Sequence, residues 1–153
     1  LRGVRGVNFE AGNVMKITTH LARHRTDRQR QAVFFEGGRH AVTRARLLKS
    51  YGRPATLSLI ECQLETGRTH QIRVHLAHTG HGLLGDPVYG GRRKIAKKAL
   101  SDASLALVSS FSRQALHAAV LGFEHPISGK KMRFEAPYPT DFKILLEALE
   151  KDG

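Results

Sequence analysis

Apolar and polar residues alternate in several short stretches of the first 65 positions, and alternation with period two marks a strand with one buried face. Residues 14–18 fit a short strand, residues 31–35 a clearer one, and residues 40–48 another. Gly37-Gly38, between the last two, has the chemistry of a hairpin turn, since two glycines accept the positive φ that tight turns demand. Residues 55–64 alternate again and point Leu57, Leu59 and Cys62 inward. After that the period changes. Ile72 and Leu76 lie one helical turn apart, Thr69 suits an N-cap and Gly80 suits a helix stop, so a helix is predicted over residues 70–79. Ile72, Val74 and Leu76 would also fit a strand, and the caps decide between the two. Residues 82–91 are turn-rich, and the basic run 92–98 opens a short helix or a loop. Residues 113–123 and 131–136 read as two strands joined by a turn at residues 126–129. A last helix, with Thr140 at its cap, buries Ile144, Leu145 and Leu149. The predicted fold is α+β, a mainly antiparallel sheet with flanking helices.

Composition changes this picture little. A chain of 153 residues, 41% of them hydrophobic, fits one domain with a real core. Charge changes it more. With 25 Lys and Arg against 13 Asp and Glu, the net charge is +12, which favours a polyanion and first of all a nucleic acid. Cys62 is the sole cysteine, so there is no internal disulfide and no thiolate zinc site, and a buried inert thiol in a reducing cytoplasm is expected. No apolar run reaches membrane-spanning length. The first 13 residues, polar and glycine-rich, lack the apolar core of a signal peptide and read as a loop or a cut end.

The densest chemistry lies between Arg68 and Arg73. On a helix starting near Thr69, Arg68 and His70 sit at the N-terminus, where unpaired N–H groups favour an anion. Arg73 shares a face with His70 and can grip a carboxylate through two parallel hydrogen bonds. The plainer alternative is a surface helix with several positive side chains. His70, His75, His78 and His81 raise the question of a metal, and His75 and His78 could chelate from one helix face. No cysteine joins them, Asp86 is the one carboxylate that follows closely, and the His-Glu-x-x-His spacing is missing, so no metal is expected. Ser109, Ser110 and Ser112 have no Gly-x-Ser-x-Gly frame, and Thr66-Gly67-Arg68 is not a Walker loop.

The segment Thr66-Gly67-Arg68-Thr69-His70-Gln71-Ile72-Arg73-Val74-His75 resembles the signature of the RluA/RluD-type pseudouridine synthases. Gly85 to Gly90, Arg113 to Ala118, and His125-Pro126 with Gly129 resemble the following segments of that family in the same order. Upstream, Arg23 to Arg28 and Ala41-Val42-Thr43 fit as well, so the likeness runs from Arg23 to the C-terminal helix. What the resemblance implies is isomerisation of uridine in RNA, ribosomal RNA foremost, with no redox cofactor or metal. It implies a catalytic aspartate, an aromatic residue stacked on the flipped base, an arginine paired with the aspartate and a leucine lining the uracil pocket. Arg73 matches that arginine and Leu116 that leucine, while Arg68, His70 and Gln71 are expected to order the motif and contact substrate or backbone. The sequence departs from the family at the aspartate, which belongs to a His-Arg-Leu-Asp motif. His24-Arg25-Thr26-Asp27 looks similar, but Gln29-Arg30-Gln31 follows it where small residues should stand, so Asp27 is not expected to be the nucleophile. Tyr89 is expected to pack against the Gly85–Gly91 loop rather than stack on a base. The expectation is therefore the C-terminal portion of a catalytic domain, inactive alone, with Arg73 awaiting a carboxylate from an upstream segment. Such a portion should expose a sheet edge through which copies could associate. The alternative is a non-catalytic RNA-binding module on the same scaffold.

Overall fold

A computed structural model describes residues 14–90, 95 and 98–152; the first 13 residues and most of the basic run 92–98 lie outside the described residues. In chain order the elements are β1 (Val14–Arg23), β2 (Gln31–Phe34), β3 (Arg39–Tyr51), β4 (Leu57–Leu64), α1 (Gln71–His78), α2 (Asp102–Ser110), β5 (Val120–Glu124), β6 (Lys131–Glu135) and α3 (Thr140–Glu150). The first four strands form one antiparallel sheet in the order β2-β1-β3-β4, and β5 and β6 form a separate pair. This is the mainly antiparallel α+β arrangement expected from the pattern.

The expected hairpin at Gly37-Gly38 is not there. Leu21 of β1 pairs with Val33 on one side and with Arg39 on the other, so β2 and β3 flank β1 and do not pair with each other. Residues 35–38 carry the chain across β1. Gly38 makes the crossing feasible: its φ is +82°, and a Cβ there would lie 3.1 Å from the Leu21 carbonyl oxygen.

One face of the sheet carries α1. Met15, Ile17 and Ala45 pack with Leu76 and Leu83, while Leu21 and Ala41 pack with Val74 and Tyr89, which seats α1 across β1 and β3. A third cluster joins Tyr51 and Leu57 to Val108 of α2 and to Leu145 and Leu149 of α3. At the β3 bulge near Leu48 the register against β4 slips by one residue. Strand β4 itself is uninterrupted, so Leu57 and Cys62, five residues apart, face opposite sides: Leu57 joins the Val108–Leu145–Leu149 cluster and Cys62 packs against the Met15–Ile17–Leu76 cluster. Burial pushes the Cys62 thiol up to about 11, in keeping with an inert thiol.

Three local expectations change. Helix α2 went unread in the sequence, although Ser101 caps it by accepting the Ser104 N–H and Asp102 opens its first turn. Helix α3 begins with Thr140 and has Pro139 at its cap, so the threonine does not cap. Phe142, Leu145 and Leu149 form its buried stripe, which turns Ile144 outward to 46% exposure. The strand expected over residues 113–123 is confined to Val120–Glu124, because Ala115 donates its N–H to Leu84 in the loop beneath. The β5–β6 pair leaves Val120, Leu121, Phe123 and Phe134 exposed, with the two phenylalanine rings stacked at 5.9 Å. No described helix is long and apolar enough to cross a membrane.

Candidate functional site

Helix α1 is welded to the sheet by a polar network, and Gln71 is its hub. This side chain is only 2% exposed. Its Oε1 accepts from the Arg68 N–H at 3.0 Å and from the Thr66 hydroxyl at 2.8 Å, and its Nε2 donates to the Val42 carbonyl at 2.9 Å and the Thr43 hydroxyl at 3.0 Å. The Thr66 hydroxyl in turn accepts from the Val42 N–H at 2.9 Å. A buried amide satisfied at both ends fixes its surroundings and has nothing left for a ligand. Of the roles expected of Gln71, ordering the motif and contacting backbone are the ones this geometry supplies, with no donor or acceptor left over for substrate. One turn on, His75 is fully buried, with Nδ1 2.8 Å from Thr43 Oγ1 and Nε2 2.8 Å from Thr19 Oγ1. Burial lowers its pKa to about 4, with a smaller contribution from His78, so it is a neutral imidazole bridging two sheet threonines. Among the described residues no group of three or more metal-ligating side chains gathers.

The N-terminus of α1 is set by His70, not by Thr69. His70 occupies the cap in the left-handed conformation, φ 55°, and makes no side-chain cap bond. The other end closes as expected: the His81 N–H reaches the Leu76 carbonyl at 2.8 Å and the Gly80 N–H the Ala77 carbonyl at 3.0 Å, with Gly80 at φ +81°.

Arg73 does grip a carboxylate through two parallel hydrogen bonds, but the carboxylate belongs to this chain. Its Nε lies 2.7 Å from Asp86 Oδ2 and its terminal nitrogen 2.8 Å from Oδ1. The arginine side chain is 11% exposed and the aspartate 0%. Oδ1 also accepts the N–H groups of Val88 at 2.9 Å and Tyr89 at 3.0 Å. Burial alone would raise the Asp86 pKa; the Arg73 guanidinium and the two backbone donors outweigh it and hold the carboxyl below its ordinary value. The same hydrogen bond raises the Arg73 pKa. The vacancy expected beside Arg73 is filled, and the pair fastens the turn after α1 onto the helix.

Tyr89 sits at the centre of that turn. Its ring packs with Leu21, Ala41 and Val74, the Arg73 guanidinium lies 4.9 Å from its centroid, and its hydroxyl accepts the Gln31 N–H at 2.7 Å. The hydroxyl is also 3.0 Å from His70 Nδ1. Desolvation, then the nearby Arg73 charge, lowers the His70 pKa. Tyr89 is therefore the packing residue that was expected, with the added task of tying β2 to the head of α1. His70 is held in place by it.

Arg68 is placed differently. Its Nε donates to the His40 carbonyl at 3.0 Å, and its side chain helps to line a cavity of about 520 Å³. Arg23 and Arg39 share that lining with Gln31, Gly38 and Thr69, and no carboxylate of the described residues does. A cavity lined by three arginines and, among the described residues, no carboxylate suits an anion. Leu116, expected at the uracil pocket, packs instead against the Met15–Ile17–Leu76 cluster and is not part of this lining. Asp27 is exposed and accepts the Gln29 N–H in a local turn, at 3.0 Å. Arg39 was not singled out in the sequence and Arg23 entered only as the start of a matching segment, because only the strand topology brings the two together.

Residues 10–78 match the family described as RNA pseudouridylate synthase. The chain is 53% identical over 130 residues to ribosomal large subunit pseudouridine synthase D of Zymomonas mobilis, covering 84% of this chain and 38% of that protein. It is 47% identical over 132 residues to the protein of that name from Escherichia coli, covering 86% and 39%. The chain thus spans about two fifths of the length of these relatives. Human RNA pseudouridylate synthase domain containing 4 superposes with a TM-score of 0.64 at 22% identity, covering 94% of this chain and 59% of that one, a likeness of fold.

Proposed function

We propose that this chain belongs to the RluA/RluD-type family of RNA pseudouridine synthases, which its matches support, and that it is the RNA-positioning part of an enzyme that isomerises uridine in large-subunit ribosomal RNA. The reaction breaks the N1–C1′ bond of uridine, forms C5–C1′, releases the C5 proton and returns a proton to N1. Atoms and electrons balance within the nucleotide, so the chemistry itself calls for no redox partner. The aspartate nucleophile of the family is assigned to the remainder of the longer protein, and a cytoplasmic setting follows from a ribosomal RNA substrate.

The observation that carries the reading is the Arg68 side chain at the anion-suited cavity. Arg73 spends two of its five N–H donors on Asp86 and is largely buried, so its first charge partner lies within this chain. Arg68 is the signature arginine that faces the cavity, and we assign to it the contact with the aspartate or an RNA phosphate. Arg73 becomes a positioning residue that holds the Asp86–Tyr89 turn under His70. Gln71 and His75 hold α1, and with it Arg68, at a fixed height over the sheet.

The test uses the full-length protein and large-subunit ribosomal RNA transcribed with 5-tritiated uridine. Tritium release at a defined position, lost in Arg68→Ala while the protein stays folded, is the expected result. No release by the wild-type protein would overturn the enzymatic reading and favour an RNA-binding module.

A further inference from the structure

The cavity beside the head of α1 carries more positive charge than Arg68 alone supplies. Leu21 of β1 pairs with Arg39 of β3, and Arg23 of β1 pairs with Gln31 of β2. Paired residues share a face, as do residues two apart on one strand, so Arg23, Gln31 and Arg39 stand on the face of Leu21. That is the face on which α1 packs, since Leu21 meets Val74 in the core. Arg23 is diagonal to Arg39 across the β1–β3 ladder, which sets the two residues roughly 7–8 Å apart. Arg68 joins them from the loop before α1, tethered through its Nε to the His40 carbonyl.

Arg44, Arg46, Arg73, Arg113 and Arg133 each hold a carboxylate of this chain. Arg23 and Arg39 make no ion pair or side-chain hydrogen bond with any described residue, and both are exposed. Like charges brought together at a cavity repel, and an anion from outside offsets the repulsion. A single carboxylate would answer one guanidinium. Three of them, two open to solvent at the end of the strands, match a ligand that repeats its charge, and the phosphodiester backbone of RNA does so. Gly67 in the lining leaves room for a backbone to approach, since a Cβ there would meet nothing within 4 Å. We infer that Arg23 and Arg39 grip RNA backbone phosphates flanking the nucleotide that Arg68 borders, through charge and not through base identity. This rests on the RNA-modifying reading of the same cavity and adds the residues that hold the strand.

The experiment uses full-length protein and a large-subunit ribosomal RNA transcript, with Kd by filter binding from about 0.05 to 0.2 M salt, tritium release and melting temperatures. Arg23→Gln and Arg39→Gln each raise Kd about tenfold and flatten the slope of log Kd against log salt by roughly 0.7–0.9. The double variant flattens it by about twice as much. A transcript of scrambled sequence loses the same factor, because phosphates carry no sequence. Lys130→Gln, beside β6 and outside the cavity lining, shows what the loss of any surface charge does. Gly67→Asp places a carboxylate in the cavity and weakens binding more than Gly67→Asn. Unchanged slopes in both arginine variants, equal flattening in Lys130→Gln, or equal binding by the two Gly67 variants overturns the inference, even if the wild-type protein releases tritium. Unchanged slopes with a lowered Tm also overturn it, and assign the two arginines to a carboxylate of the longer protein. Flattened slopes in a protein that releases no tritium uphold the phosphate contacts and overturn the enzymatic reading instead.

Discussion

Replacing Arg73 by alanine should unfold this chain before it does anything else. The Asp86 side chain has no exposure and accepts four hydrogen bonds, two of them from Arg73. Without the guanidinium the carboxylate keeps two backbone donors and stays buried. Breaking a buried pair from one side costs about 3–5 kcal/mol, because the surviving charge is left uncompensated. For a chain of this size that corresponds to a fall in Tm of roughly 6–20 °C. Asp86→Asn in the Arg73→Ala background removes the stranded charge and should recover part of the loss, so the double-mutant cycle is non-additive. Acid should act in the same direction. The folded Asp86 pKa is depressed, so the pair's contribution is full above the ordinary carboxylate range and fades as pH falls toward the lower folded value. Urea denaturation of the four proteins at pH 7 reads the cycle. An Arg73→Ala variant within about 0.5 kcal/mol of wild type would refute the reasoning, and Arg73 would return to the site as a dispensable structural element facing ligand.

Two further outcomes follow from the same network. His75 titrates near 4 when folded against about 6.5 when unfolded, so the unfolded chain takes the proton first and stability drops as pH falls between those values. From pH 7 to pH 5 wild type should lose about 2 kcal/mol more than His75→Gln in urea titrations; parallel pH profiles would show that the imidazole is not held neutral. Gly38→Ala puts a Cβ 3.1 Å from the Leu21 carbonyl oxygen at a φ of +82°, and calorimetry should show about 1–3 kcal/mol of destabilisation, whereas an unchanged Tm would mean that the crossing over β1 is not tight.

What could be read from the chain and what could not differ in range. Helix α1 was legible because its signals are local: Ile72 and Leu76 one turn apart, and Gly80 where the left-handed stop forms. Alternation told which side of β1 and β3 is buried, yet it carries no information about neighbours, so the Gly37-Gly38 step looked like a hairpin when it is a crossing. Arg73 could be seen as a carboxylate clamp, but not which carboxylate it holds. Asp86-Pro87-Val88-Tyr89 did hold a clue, since an aspartate that accepts the N–H groups two and three residues later is a turn former, and such a turn brings the carboxylate back toward the preceding helix. The α2 cap, Ser101 followed by Asp102 and Ser104, was a local signal passed over in favour of the serine-hydrolase question. Arg23 and Arg39 meet only through the topology, which no short window contains.

The account turns on which signature arginine faces the reacting nucleotide. The direct measurement is single-turnover tritium release by full-length Arg68→Ala and Arg68→Lys, alongside their melting temperatures. The account predicts a loss of at least about 100-fold for alanine, partial recovery for lysine and a Tm within a few degrees of wild type. Near-normal release from a folded Arg68→Ala protein would contradict it.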